Sequence, residues 1–361
     1  MRRKFEMKKT IVLSILVLVI IIAGISFSWA AEFTPKKEYT MTVNVGNTYA
    51  WGMGAQKWAD LMAEKTNGKI VVKPYWNSQL LAGKQMNWLQ AVAEGSIDFA
   101  VESTINSSSV VKSHNLFSLP FFINTLENLD RIENGKSGQM IFEEMEKMQV
   151  IALAWGENGF RQVTNNVRPI TAPADLKGLR TRVCPTAIYD DIFRALGADP
   201  IHMNWADAVT GFQQGAVDGQ ENPYGVLLPV RIWEYHKYVT NWNYLADPLI
   251  FCVNKRVWDS FPDVIKLAVK EAARDAAEWE KAYARRGLDG ERSINILKEK
   301  FGEVPEIVDQ VAYMKSQGAE VVNLTPEQLN DFIEATKDVT DKWLEIIGKD
   351  LVEAAKSDMN Q

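Results

Sequence analysis

Two arginines stand apart from the charge pattern of this chain. Arg161 follows Gly159 and Phe160 in WGENGFRQVTNN (155–166), and Arg182 lies in LKGLRTRV (176–183). Both sit among apolar and small residues rather than in charge runs. A guanidinium is a planar fork that can make two parallel hydrogen bonds to one carboxylate, so the pair reads as a clamp for an acid. Alternation along a strand through RTRVC puts Arg180 and Arg182 on one face and Thr181 and Val183 on the other. Asn222 ends NWADAVTGFQQGAVDGQEN (204–222), just ahead of Pro223, and offers both a donor and an acceptor. Each has a plainer reading: surface charge for the arginines, a turn residue for Asn222.

The partners that catalysis would need do not accompany them. No P-loop, HExxH, GxSxG or paired-carboxylate motif occurs, and WGMGAQ carries only half of a dinucleotide fingerprint. His114, His202 and His236 are scattered without metal-ligand spacing, so neither a metal nor a cofactor is expected. Cys184 and Cys252 lie in apolar, strand-like contexts without a CxxC, which suits two buried thiols. Trp76, Trp88, Trp155, Trp205 and Trp242 are candidates for the walls of a cleft, although Trp at helical spacing usually fills cores. Arginines without a nucleophile, a metal set or a clear base fit binding better than turnover. Binding needs an anion clamp, apolar walls and closure.

The elements that must hold these residues follow from periodicity. YTMTVNVGN (39–47), KIVVKPYW (69–76) and IDFAVE (97–102) read as strands separated by helices over 49–65 and 83–94, an α/β unit. Ligand sites in such sheets lie at the carboxyl ends of the strands, which points to Gly46, Asn47, Glu102 and Ser103. SLPFF (118–122) reads as a loop with an apolar plug, followed by a helix over about 127–148 and a strand VIALAWG (150–156). A second α/β set begins near residue 160. It has strands near 179–183, 199–203, 216–222 and 237–244, with helices over 186–196 and 205–215. The apolar strand DPLIFCVNK (247–255) reads as a return crossing. A long helix then runs from about Ser260 to 286, with a capping box at Ser260 and Asp263. Thr325 and Gln328 form a second capping box and open the last helix, which runs to about 347. No internal repeat is present.

The first thirty residues differ in kind. MRRKFEMKKT carries five basic residues, Ile11–Phe27 is almost unbroken apolar sequence, and SWAAE offers a small-residue cut before Ala31. This is the pattern of a secretory signal peptide, with an uncleaved anchor as the alternative because the apolar run is long. Removing residues 1–30 takes away five basic residues and one acid, so the formal charge moves from -6 to about -10. Such an acidic protein does not suggest nucleic acid as a partner.

At this point a resemblance is carried by the residues themselves. WGENGFRQVTNNVRPI, PADLKGLRTRV, ALGADPIHMNWADAVTGFQQGAVDGQENP and DPLIFCVNKRVW are similar to the solute-binding proteins of tripartite ATP-independent periplasmic (TRAP) transporters, of the dicarboxylate-binding type. AEKTNGKIVVKPYWNSQL and AVAEGSIDFA match as well, and the likeness covers essentially the mature chain.

The resemblance implies an α/β fold of two lobes around a central cleft, with mixed sheets and a long helix bracing both. It implies lobe I over 38–159, lobe II over 160–245, a return to lobe I with the bracing helix over 246–287, and lobe II helices over 288–361. Arg182 would make the main salt bridge to a ligand carboxylate, with Arg161 a second cation and Asn222 completing the site. Trp205 would lie near the cleft, and Asn47, Tyr49 and Glu102 would meet the distal part of the ligand. The ligand would be an organic acid (a dicarboxylate, uronate or other sugar acid) passed to an ion-coupled permease, by a monomer in the periplasm. The abundance of Trp and amides leans toward a larger hydroxylated acid such as a uronate. A sensor subunit for a signalling receptor and a secreted enzyme acting on acidic sugars are the alternatives.

Overall fold

β1 (Tyr39–Val43) is the alternating segment YTMTV, and its apolar residues are buried. In a computed structural model of the chain, which describes residues 33–360, it lies within the unit Lys36–Gln361. The other strands are β2 (Val72–Tyr75), β3 (Phe99–Ser103), β4 (Val150–Phe160), β5 (Gln162–Asn165), β6 (Arg180–Val183), β7 (Asp199–His202), β8 (Gly219–Asn222), β9 (Tyr238–Asn241), β10 (Ala246–Asn254) and β11 (Glu320–Asn323). They form two sheets, ordered β2-β1-β3-β10-β4 and β11-β9-β5-β8-β6-β7. The signal-peptide reading of residues 1–30 lies outside the described residues. No helix among the described residues is long and apolar enough to cross a membrane.

Both sheets are mixed. In the first, β1 runs parallel to β2 and β3, whereas β10 is antiparallel to β3 and β4. In the second, β6 is parallel to β7 and β8, and β5 is antiparallel to β8 and β9. β10 is buried along its whole length, as expected of a strand with neighbours on both sides and helices on its faces. The chain passes between the sheets from β4 to β5, back from β9 to β10, and once more through the helices between β10 and β11. A bulge marks the first passage: Gly159 pairs with Asp247 and Glu157 with Pro248, which leaves Asn158 without an opposite number. Gly159 sits at φ +119, a conformation that disfavours side chains, and a Cβ there would meet Pro223 at 3.1 Å.

The helix Asp263–Arg285 braces the assembly. It packs along the helix Ala50–Lys65 and along β4. Its far end holds the helix Gln310–Ser316, because Gln310 donates to the carbonyls of Ala284 (2.7 Å) and Arg286 (3.0 Å). Ser260 does not cap it: a separate helix Lys255–Ser260 precedes it, and Ser260 donates back to the Val257 carbonyl (2.6 Å). The Thr325–Gln328 capping box is present. The helix expected over 127–148 is broken by Gly135 into Leu126–Asn134 and Lys136–Lys147. At the C-terminal end the last helix, Lys349–Met359, packs on those two broken helices, with Leu351, Val352 and Ala355 in the same core as Val183 and Trp242, and Asp358 accepts from the Ser137 amide (2.9 Å) at the start of one of them. An acid there satisfies free N–H groups at a positive helix end.

Two of the hydrophobic cores among the described residues lie against the sheets. One lies under the first sheet, around Trp88, Phe142, Met145, Ile250 and Cys252. The larger runs beneath the second sheet and takes in Leu119 of the SLPFF plug, together with Val183, Ile188, Phe193, Trp242, Tyr244 and Phe332.

Candidate carboxylate-binding site

Arg182 projects from β6, near the carboxyl end of the strand, as alternation placed it. Its side chain is 1% exposed. Both Nε (3.0 Å) and Nη2 (2.8 Å) donate to the Met203 carbonyl, and the guanidinium lies 5.5 Å from the centre of the Trp205 ring. No carboxylate among the described residues stands within ion-pair distance of it. Arg180, its companion on the same face, is instead exposed and paired with Asp218 at 2.6 Å, so it is surface charge.

Arg161 occupies the passage between β4 and β5, and it is already satisfied. Its Nε and Nη2 bond the Glu221 carboxylate, Nη2 also reaches the Glu221 carbonyl (2.8 Å), and Nη1 meets Asp247 (2.6 Å). Desolvation alone would loosen its proton, but the combined attraction of Glu221, Tyr189 and Asp247 holds it more firmly than in a free guanidinium. Tyr244 donates to Glu221 (2.7 Å). Glu221 is on β8 and Asp247 on β10, so this cluster ties the first two passages to the second sheet. The two arginines are therefore not an equivalent clamp: one is a structural pin that also lines the cavity, the other an uncompensated buried cation.

The cavity between the lobes is small, with about 20 Å³ open to the centre of a water-sized sphere. Arg161, Arg182, Cys184, Trp205 and Asn222 line it on one side. Asn44, Trp51, Gln85, Ser103, Asn106, Asn158 and Asp247 of β10 line it on the other. Asn222 donates one amide hydrogen to Gln220 (2.6 Å). Ser103 (2.5 Å) and Asn158 (2.8 Å) donate to Asp247, so its two oxygens are fully engaged. The bulge described above is what turns Asn158 inward. Across the cleft, Gln85 accepts from the backbone N–H of Trp205 (2.6 Å) and donates to Asn106 (2.6 Å). That N–H opens the helix Trp205–Gln213 and has no partner within the helix.

Several expected contacts belong elsewhere. β1 ends at Val43, so Asn44 takes the place at the cleft and Asn47 lies exposed on the following turn. Glu102 is wholly buried behind the wall, not in it. Its neighbour Ser103 faces Asp247, and adjacent strand residues point to opposite faces. Burial pushes the Glu102 carboxyl well above the usual range, opposed by a long contact from Asn106 (3.4 Å) and by the Ser103 backbone. Tyr49 does not line the cavity, although it touches Trp205 from outside. Trp242 is a core residue, stacked edge-on against Phe332 (5.5 Å) and close to Tyr244 (4.6 Å). Trp88 is core as well, and Trp155 stacks on Phe142 at 4.5 Å. Of the five tryptophans considered for the walls only Trp205 serves, joined by Trp51. Asn44, Gln85, Asn106, Asn158 and Asp247 were not singled out from sequence. The strand-end rule pointed within a few residues of Asn44 and Asn106. For Asp247 the signal was an acid opening an otherwise apolar strand.

His114 and His236 are buried and neutral, their pKa values lowered to about 3 and about 4 by desolvation, and each ring shares a hydrogen bond with a hydroxyl. Among the described residues no three His, Cys, Asp or Glu side chains are grouped to hold a metal. Cys184 and Cys252 are free and buried. A larger groove of about 1060 Å³ runs outside the first lobe along β4, but its buried cations, Lys281 and Arg285, are paired with Asp130, Glu133 and Glu157.

Two α/β lobes closing on a buried, unneutralised guanidinium define an extracytoplasmic binding protein for acidic solutes. Residues 41–307 match the family of bacterial extracellular solute-binding proteins, family 7 (DctP), and the chain belongs to that family. A TRAP periplasmic solute-binding protein from Ralstonia eutropha H16, solved with bound (S)-2-acetolactate, is 43% identical. The match covers 90% of this chain and 99% of that one, with a TM-score of 0.84. A counterpart from Bordetella bronchispeptica, whose ligand density was interpreted as pantoate, is 29% identical over 89% and 99% of the two chains, with a TM-score of 0.76. The C4-dicarboxylate-binding periplasmic protein of Vibrio cholerae is 28% identical, over 93% of this chain and 95% of its own. The protein is thus a TRAP solute-binding protein that carries an organic acid to a membrane transporter, and not an enzyme.

Proposed function

We propose that Arg182 is the anchor for the ligand carboxylate, with the second Asn222 amide hydrogen beside it and Trp205 as the wall against which the guanidinium is held. The observation that carries this reading is the charge state of the site. Arg161 has two acids within bonding distance, whereas Arg182 is as deeply buried and has only a carbonyl. Burying a charge without a counter-charge is costly, and an incoming carboxylate removes that cost while making charge-assisted bonds. Nη1 of Arg182 is unused by the protein's own hydrogen bonds, so a donor is free to receive it. The lobes close by flexing the two passages at 160–161 and 245–246, and exclusion of water strengthens the pair once its hydrogen bonds are complete. The membrane partner then favours the closed, loaded shape. Export through residues 1–30, supported by the basic, apolar and small-residue pattern of that segment, and action as a monomer complete the reading.

Titration calorimetry with short hydroxy acids tests it. Arg182→Ala should abolish measurable binding, and Arg182→Lys, a point charge in place of the fork, should weaken it at least tenfold. Unchanged affinity in Arg182→Ala would refute the anchor.

A further inference from the structure

The charge and size of the cavity say more about the solute than that it is an acid. Among the described residues the only cations lining the cavity are Arg161 and Arg182, and Arg161 is spent on Glu221 and Asp247. One unpaired positive charge therefore remains for the ligand. On the opposite wall Asn44, Gln85, Ser103, Asn106 and Asn158 hydrogen-bond but carry no charge, and its one acid, Asp247 on β10, would repel a second carboxylate.

Size acts in the same direction. The contact between Gln85 and the Trp205 amide spans the cleft, from the segment between β2 and β3 to the helix after β7. Next to it, Gly83 approaches so closely that a Cβ would stand 3.3 Å from Ala206. Ligand pockets for drug-sized molecules hold roughly 300–1,000 Å³, so the space here admits a ligand only by parting the lobes slightly. Every further carbon forces them wider, until the Gln85 bond is lost and the Trp205 N–H is left unpaired.

We infer that the site selects compact acids with a single carboxylate and a hydroxyl or oxo group close to it, and that it discriminates against dicarboxylates and uronates. The inference rests on Arg182 as the anchor. It replaces the lean toward a uronate drawn from the richness in Trp and amides. Most of those tryptophans are core, and the amides are engaged with one another, with Asp247 or, for Asn44, with Ser78. A hydroxyl or oxo group beside the carboxylate can use the remaining donors of Asn44 and Asn222. A second carboxylate finds no cation and pays for losing water, and a site of this kind rejects an unmatched polar group strongly.

The test is a matched pair. 2-Hydroxybutanoate and malate share a skeleton and differ in a methyl group against a second carboxylate. Calorimetry should show 2-hydroxybutanoate binding at least tenfold more tightly than malate, with glucuronate weaker still. Gln85→Lys places a cation in that wall and should shift the ratio at least tenfold toward malate. If malate or glucuronate binds the wild type as well as 2-hydroxybutanoate does, while Arg182→Ala binds none of them, the class inference falls and the anchor stands. If Arg182→Ala retains the affinity of the wild type for 2-hydroxybutanoate, the anchor itself falls. Failure of the wild type to bind 2-hydroxybutanoate or 2-oxobutanoate at all would also overturn the inference.

Discussion

Replacing Gln85 by methionine keeps nearly the same side-chain volume and removes both polar ends. In the closed form this deletes the bond to the Trp205 amide (2.6 Å) and the bond to Asn106 (2.6 Å). The Trp205 N–H lies at the start of its helix, so nothing within the helix replaces the lost acceptor. Leaving a buried donor unsatisfied costs roughly 1–3 kcal/mol. That cost arises only when the lobes meet, because an open cleft lets water satisfy both groups. It should therefore appear in ligand affinity, as a rise in Kd of about 5- to 150-fold at 1.4 kcal/mol per tenfold. The unliganded protein should unfold within about 0.5 kcal/mol of the wild type, as for changes at a solvated surface. Calorimetry with 2-hydroxybutanoate gives the first quantity and denaturant unfolding without ligand gives the second. Small-angle scattering should show less contraction on ligand addition. The reasoning is refuted if Gln85→Met binds as the wild type does, or if it loses affinity and unliganded stability together.

Two further outcomes follow from groups away from the anchor. Burial raises the Glu133 carboxyl to about 7, against the pull of Lys281, so the folded chain holds a proton there that the unfolded chain releases above about 4.5. Stability from this group is present below about pH 4.5 and is lost as pH rises through about 7; Glu133→Gln should remove up to about 1.4 kcal/mol per pH unit of that decline in denaturant titrations. An unchanged slope would show that Glu133 ionises normally. Cys184 borders the cavity, whereas Cys252 is wholly buried on β10 of the first sheet. N-ethylmaleimide should label the native protein once, at Cys184, and saturating 2-hydroxybutanoate should slow labelling at least tenfold; labelling indifferent to ligand would contradict closure over that residue.

How much of this was legible in the sequence depends on the distance over which each feature is decided. Local periodicity placed most strands and helices, and alternation in RTRVC gave Arg182 its face. The passages near 160 and 246 showed because polar turns interrupt apolar runs there. What failed was decided by one residue of register or by distant partners. Asn44 and Asn47 differ only in where β1 ends, and Ser103 and Glu102 only in which face of β3 they occupy. The spent state of Arg161 could not be read locally, because its acids lie 60 and 86 residues away. The bulge that turns Asn158 inward exists only when β4 is paired with β10. Gly135 breaks a helix whose apolar period runs straight through it, and the final helix packs on both halves, where Asp358 meets the start of one of them.

The most direct measurement is a crystal structure of the protein with 2-hydroxybutanoate. A carboxylate oxygen should lie about 2.9 Å from the Arg182 guanidinium, with Arg161 still bound to Glu221 and Asp247. A carboxylate seated on Arg161, with Arg182 still holding only the Met203 carbonyl, would contradict the account.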